Sequence, residues 1–171
     1  MERHEIPTHL EVADRAFLGL TMRQLLSAAI GLALAYGALS DLPLPFALRL
    51  TATYTSERKQ FDTPIATFQA VAHRAADAYI DTQAVRLTAL QAAWRLGQGL
   101  PAEDAIVIAK FWVADGGQRV VHAAQHLHGG MGVDRDYPLH RYFLWAKQLE
   151  LDLGGTHTQL LRLGAEIAAS V

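Results

Sequence analysis

The chain has 171 residues, 51% hydrophobic and 19% charged, with a formal net charge of −2 and no cysteine. That length is enough for one domain with its own core. The lack of cysteine excludes disulfides, thiolate zinc sites and cysteine nucleophiles, and with no basic block to neutralise phosphates a nucleic-acid partner is not expected.

The first fifty residues read differently from the rest. Gln24 to Ser40 holds seventeen residues without a charge, bracketed by Arg23 and Asp41. A membrane span needs about 20 apolar residues, within a range of about 17–25, so two readings stand. One is a buried helix whose Ala and Gly allow close packing; the other is a membrane contact through residues 24–40. A secretory signal does not fit, because Glu11, Asp14 and Arg15 precede the run.

From residue 48 onward the pattern is helical, and no strand-like alternation exceeds four residues. Thr63 and Pro64 predict a helix start, a capping hydroxyl followed by proline in the first turn. Phe68, Val71, Ala75, Ala78, Tyr79, Thr82, Val85 and Ala89 then recur at helical spacing up to a stop at Gly97 and Gly99. A second helix begins near Pro101, where Glu103 and Asp104 suit the positive end of the helix dipole, and runs into Gly129 and Gly130. A third covers about residues 139–151. The fourth starts at Thr156 and carries Leu160, Leu163, Gly164 and Ile167 on one face. Four such helices predict an all-α antiparallel bundle, preceded by the apolar helix 24–40.

Three segments carry a family resemblance: YTSERKQFDTPIATFQ at residues 54–69, QHLHGGMG at 125–132 and DLGGT at 152–156. In this order and at about this spacing they resemble the C-terminal helical domain of acyl-CoA dehydrogenases, over residues 48–171, some seven-tenths of the chain. The resemblance implies a four-helix bundle of that type, FAD as cofactor, an acyl-CoA thioester as substrate, and α,β-dehydrogenation as the reaction. Residues 1–47 carry a second one. IPTHLE at 6–11, Asp14, Arg15, GLTMRQLL at 19–26 and LPLP at 42–45 resemble the start of the PrgI-type small membrane proteins of bacterial secretion and conjugation loci. Taken together, the two divide the chain into a leader, 1–47, and a helical domain, 48–171, joined near residues 46–50.

The candidate site residues follow from the motifs. Arg58 offers forked donors suited to a diphosphate, and Phe61 a flat face for a ring. The resemblance implies that Arg58 and Gln69 bind FAD; read without it, Glu57, Arg58 and Lys59 are a solvated charge cluster. Asp62 departs from the glycine usual there, and its charge would weaken binding to a phosphate. Gly129 and Gly130 mark a sharp turn or a close backbone approach. The resemblance makes them, with Gln125 and His126, a loop that reaches the FAD of another subunit, although His126 replaces the usual glutamine. Gly155 and Thr156 open the last helix with backbone N–H groups that meet flavin or phosphate oxygens. His122, His126 and His128 lack a neighbouring acid at ligand spacing, so no metal site is expected.

No catalytic residue is identified. The reaction needs a carboxylate against the α-carbon of the acyl group, and many members place a glutamate immediately before the Gly-Thr pair. Here that position is Gly154. The expectation is a cytoplasmic, or alternatively membrane-associated, homo- or hetero-oligomer with acyl-CoA dehydrogenase-like subunits, inactive or nearly so alone. The alternatives are a non-catalytic partner subunit or interaction module of a heteromeric dehydrogenase, and a membrane-associated secretion or conjugation component.

Overall fold

The computed structural model describes residues 15–17, 20–21 and 43–169. The apolar run 24–40, and most of the leader with its PrgI-like resemblance, lie outside the described residues. Within the leader, β1 (Arg15–Phe17) pairs antiparallel with β2 (Leu20–Thr21). Among the described residues no helix is long and apolar enough to cross a membrane.

Helix α1 (Pro43–Glu57) opens on prolines, which the first helical turn tolerates, and runs unbroken through residues 46–50. The junction expected there is interior to a helix. Buried Thr51 and Thr55 return their hydroxyls to the carbonyls of Ala47 and Thr51, both at 2.8 Å, so neither is left unpaired. A two-residue ribbon of β3 (Lys59–Gln60) and β4 (Thr63–Pro64) follows, then a 3₁₀ turn (Ile65–Thr67) and α2 (Gln69–Gly97). The helix expected at Thr63–Pro64 therefore begins five residues beyond Pro64, at Gln69. The reason is local: Thr63 and Pro64 are the returning strand of the ribbon, and Thr67 bonds back to the Pro64 carbonyl at 2.7 Å.

The link 98–102 turns the chain into α3 (Glu103–His128), and a 3₁₀ turn (Gly129–Val133) leads to α4 (Leu139–Asp152) and α5 (Gly155–Ala169). Helices α2 to α5 correspond to the four expected, and α1 adds a fifth. The molecule is an all-α helical bundle.

Helix α3 packs against all four of the others. Its buried positions are mostly small: Ala105, Ala109, Ala114, Gly116, Gly117 and Ala124, with Val120 and Val121 between. Val120 and Val121 meet Val85 and Ala78 of α2, Leu44 of α1 and Ala146 of α4 in one cluster, Ala124 meets Ala47 and Leu139 in a second, and Ala105 and Ala109 meet Ala92 of α2 in a third. Phe46 of α1 stacks on Tyr142 of α4 with ring centroids 5.8 Å apart. A polar clamp joins α2 and α3 outside this core. Arg119 donates to both oxygens of Asp81, at 2.7 and 2.8 Å, and also pairs with Asp115 one turn back on α3. Its guanidinium lies 5.7 Å from the Trp112 ring centroid. At this exposure the clamp contributes on the order of 1 kcal/mol.

Gly116 and Gly117 differ in what they permit. A Cβ at Gly116 would press on the Trp112 ring at 3.1 Å, so glycine there provides room. At Gly117 the nearest atoms are the Leu44 methyls at 3.8 and 3.9 Å, an ordinary contact. Gly117→Ala should therefore stabilise the protein by about 0.5–1 kcal/mol, the helix-propensity difference, read as a higher urea midpoint. An unchanged or lower midpoint would show that α1 and α3 are closer than this spacing.

Candidate functional site

The Arg58 segment is a tight hairpin. Gln60 pairs with Thr63, leaving Phe61 and Asp62 as the two loop residues, with φ of +52° and +64°. Two left-handed residues in a two-residue loop make a type I′ turn, which favours Gly, Asn or Asp. Asp62 meets that demand where the resemblance expects glycine. Phe61 does not, and a bulky side chain in this region stores strain of order 1–3 kcal/mol. The ring is 87% exposed, edge-on to Phe68 at 6.4 Å between centroids. Arg58 is exposed beside it, its carbonyl accepting from the Ile65 N–H at 2.8 Å, and Gln69 is exposed at the first position of α2.

The end of α3 is organised by a histidine. His128 is buried and can only donate from Nδ1 to the Ala124 carbonyl, at 2.7 Å, which leaves Nε2 to accept from the Tyr137 hydroxyl at 3.2 Å. Tyr54 stacks on the imidazole with centroids 4.5 Å apart, tying α1 to this end. Burial holds the His128 pKa below the ordinary histidine value, partly opposed by the bond to Ala124. Burial also raises the Tyr137 hydroxyl, with Tyr54 and Glu57 adding to the effect. His128 is thus a neutral structural group. Among the described residues no cluster of three His, Cys, Asp or Glu could hold a metal.

The glycines that follow do separate jobs. Gly129 has φ +58° and leaves the helix there; a Cβ on it would meet nothing within 4 Å. Gly132 is held by proximity, because a Cβ would fall 2.5 Å from the Gln125 carbonyl oxygen. This close approach sets the turn against α3. Beside it opens a cavity of about 850 Å³ lined by Arg74, Arg119, His122, Gln125, His126 and Gly129. Three expected residues, Gln125, His126 and Gly129, come together here. Arg58, Phe61, Gln69, Gly155 and Thr156 are not among its walls.

Gly155 and Thr156 are half-buried at the start of α5, after a turn in which Gly154 and Gly155 have φ of +92° and +70°. Beneath it lies Gln159, 1% exposed, whose Nε2 donates to the Leu153 carbonyl at 2.7 Å. A Cβ at Gly154 would sit 3.1 Å from that nitrogen. The side chain of Gln159 thus crowds the point where a residue-154 side chain would begin.

These elements coincide with a known domain. The model of the family described as acyl-CoA dehydrogenase, C-terminal domain, matches residues 20–168. The chain belongs to the acyl-CoA dehydrogenase family. It is 50% identical to acyl-CoA dehydrogenase FadE27 of Mycobacterium tuberculosis over 129 residues, 71% of this chain and 35% of FadE27. Among solved structures it is similar to the ChsE4–ChsE5 complex of Mycobacterium tuberculosis, at 48% identity and a TM-score of 0.73, over 84% of this chain and 39% of that one. A variant of the Tcur3481–Tcur3483 steroid ACAD gives 46% identity and a TM-score of 0.74, over 86% of this chain and 40% of that one. The chain spans two-fifths or less of each of these relatives.

The donor set fits part of the cofactor this family implies. Arg74, His122, His126, the Gln125 amide and the backbone at Gly129 suit phosphate and hydroxyl oxygens, and Phe61 offers an exposed ring face. Arg74, Arg119 and His122 as cavity walls, and Gln159 under the turn, were not legible from the motifs. Only the Asp115–Arg119 pair, four apart on one helix, carried a local signal.

Two outcomes test this arrangement. A depressed His128 pKa means the unfolded chain takes up that proton first as pH falls. Its contribution is complete above the ordinary histidine value of about 6.5 and is lost as pH falls through the lowered folded value. His128→Phe keeps the stack on Tyr54 and removes the proton, so urea melts at pH 7.5, 6.5 and 5.5 should show a shallower acid decline than the parent chain; equal declines would exclude a buried neutral imidazole. Separately, Gly132→Ala must displace backbone, costing about 1–3 kcal/mol. Gly130→Ala, with open space around it and no positive φ, should cost far less.

Proposed function

We propose that this chain contributes an FAD-binding surface to an acyl-CoA dehydrogenase assembly and has little or no dehydrogenase activity alone. One observation carries the reading: the position before the Gly-Thr pair, where many members bear the catalytic glutamate, is Gly154, in a left-handed turn and backed by Gln159. No proton-accepting side chain stands there, and Asp152 and Glu150 belong to the preceding helix. FAD, when bound, accepts the hydride from the β-carbon. Arg58, Phe61 and Gln69 would hold it from the hairpin side, and Gln125, His126, Gly129 and Gly130 from the end of α3. Gly155 and Thr156 would offer backbone donors. The two main groups line different surfaces, which fits a cofactor shared between subunits.

The partner is then a second acyl-CoA dehydrogenase-like subunit that supplies the base. Similarity to the ChsE4–ChsE5 complex and the Tcur3481–Tcur3483 steroid ACAD favours a heteromeric assembly acting on a steroid-bearing acyl-CoA. Exposed Leu87 and Trp94 on α2, Leu144 and Leu151 on α4, and Leu161 on α5 give such a subunit apolar surface to cover. The same glycine favours a second reading, in which the domain offers its partner only an interaction surface.

The test is turnover of acyl-CoA thioesters, steroid-bearing and straight-chain, with FAD and an electron acceptor. The isolated chain should be inactive. Mixing with a full-length acyl-CoA dehydrogenase subunit should raise the rate above that subunit's own, and Arg58→Ala should reduce the gain by roughly tenfold, about 1.4 kcal/mol of lost interaction. Turnover by the chain alone, abolished by Arg58→Ala, would sink the proposal. A gain untouched by Arg58→Ala would leave only the interaction surface.

A further inference from the structure

A second cavity, of about 450 Å³, opens between α1 and α2. All of its described walls come from these two helices; α3, the glycine turn, α4 and α5 contribute none. It is thus separate from the turn at Gly154 and from the end of α3, and none of the residues expected to hold FAD lines it. Its floor is part of the core. Leu44 and Val85, 3% and 1% exposed, belong to the main cluster. Thr82, the buried polar wall, already donates to the Ala78 carbonyl at 2.9 Å, so the floor holds no free hydroxyl donor. The rim differs. Arg49 rises from the α1 wall and Arg86 from the α2 wall, both exposed, with the Gln83 amide one turn before Arg86. No carboxylate is among the described walls. The ion pairs among the described residues are made by Arg119 and Lys147, so neither rim guanidinium is matched by an acid there.

Ligand cavities of about 300–1,000 Å³ combine apolar walls with a few converging polar groups. Here the polar groups are two cations and an amide above a preformed apolar floor. From Leu44 to Ala52 the slot is roughly 12 Å long, at about 1.5 Å per helical residue. The chemistry that fits is an elongated apolar body ending in one anionic group: the slot takes the chain or ring, and a guanidinium fork matches a carboxylate. We propose that the α1–α2 cavity binds a free carboxylate with an apolar body, a fatty or steroid acid, whose head is met by Arg49 and Arg86. A free acid carries no diphosphate and uses none of the residues expected to hold FAD, so the proposal stands independently of the cofactor reading.

The experiment is calorimetric titration of the purified chain with decanoate and with cholate, both below their micelle concentrations. Decanol, the same chain without the charge, is the parallel arm. Decanoate should bind saturably and more tightly than decanol. Arg49→Gln and Arg86→Gln should each weaken decanoate by roughly fivefold, the ratio that about 1 kcal/mol gives, and leave decanol unchanged. Ala52 is exposed, so Ala52→Trp can fill the slot from its open side without entering the core. It should abolish binding of the acids and of decanol, with circular dichroism unchanged. The two acids identify the apolar body: tighter cholate binding assigns the slot to a steroid frame, tighter decanoate binding to a linear chain. Titration of FAD into the Ala52→Trp chain keeps the two readings apart, since cofactor binding should survive that substitution. Failure of both acids to bind would overturn the proposal. Equal affinity for decanoate and decanol would overturn it too, as would binding that survives Ala52→Trp or the two arginine substitutions combined.

Discussion

Close approach along α3 is the constraint on which the rest depends. A helix with alanine and glycine at its buried positions gives up side-chain area, and each interior glycine costs about 1 kcal/mol against alanine. The return is distance: neighbours reach the backbone of α3, and Val85, Leu44 and Ala146 share one cluster around Val120 and Val121. Helix axes held that close leave few alternative registers. Gln125 and His126, proposed to face the cofactor, and the turn at Gly129 are projected from this same helix, so their positions inherit its rigidity. Arg119 lies between the two roles, clamping α2 to α3 while forming one wall of the cavity.

Backbone strain in the described residues gathers at or next to the expected cofactor residues. The two non-glycine residues with positive φ are Phe61 and Asp62, and three of the four positive-φ glycines are Gly129, Gly154 and Gly155. Helical packing explains none of these five. Each stands where the chain leaves a regular element to present a side chain or backbone N–H groups outward. Strain of this kind persists only where surrounding structure over-determines it. Here the Gln60–Thr63 pairing does so for the hairpin, the His128 bonds for the α3 terminus, and Gln159 for the α4–α5 turn.

Helices α2 to α5 were legible from the sequence because each is long, periodic and has glycine or proline near its ends, whereas α1 was not anticipated. The start of α2 was misread for a definite reason. Thr63 followed by Pro64 has the composition of a helix start, and equally of a returning hairpin strand; a one-residue cap signal does not contain the cross-strand partner Gln60 that decides between them. The motifs also found Gln125, His126 and Gly129, which share a cavity, because three neighbours at a helix end are adjacent in any fold. They missed Arg74, whose place beside His122 and His126 follows from how α2 crosses α3. His122 and His126 were weighed as metal ligands and set aside for want of an acid; the absence of carboxylates is also what leaves the cavity cationic.

Gln159 explains why the missing base at position 154 is more than one substitution. A glutamate there would need a φ other than +92°, since L residues rarely adopt that conformation, and the turn would have to open. On the present backbone its Cβ would meet the Gln159 amide nitrogen at 3.1 Å and crowd the bond from that nitrogen to the Leu153 carbonyl. Breaking this bond would leave a second buried polar group unpaired beside the Gln159 Oε1, which already lacks a protein partner. A buried glutamine and a left-handed glycine therefore suit each other, and a side chain at 154 would meet both an unfavourable φ and a tight contact with the Gln159 amide. On the proposed reading, a domain shaped in this way keeps surfaces for a cofactor and a partner, and the proton-accepting group comes from elsewhere.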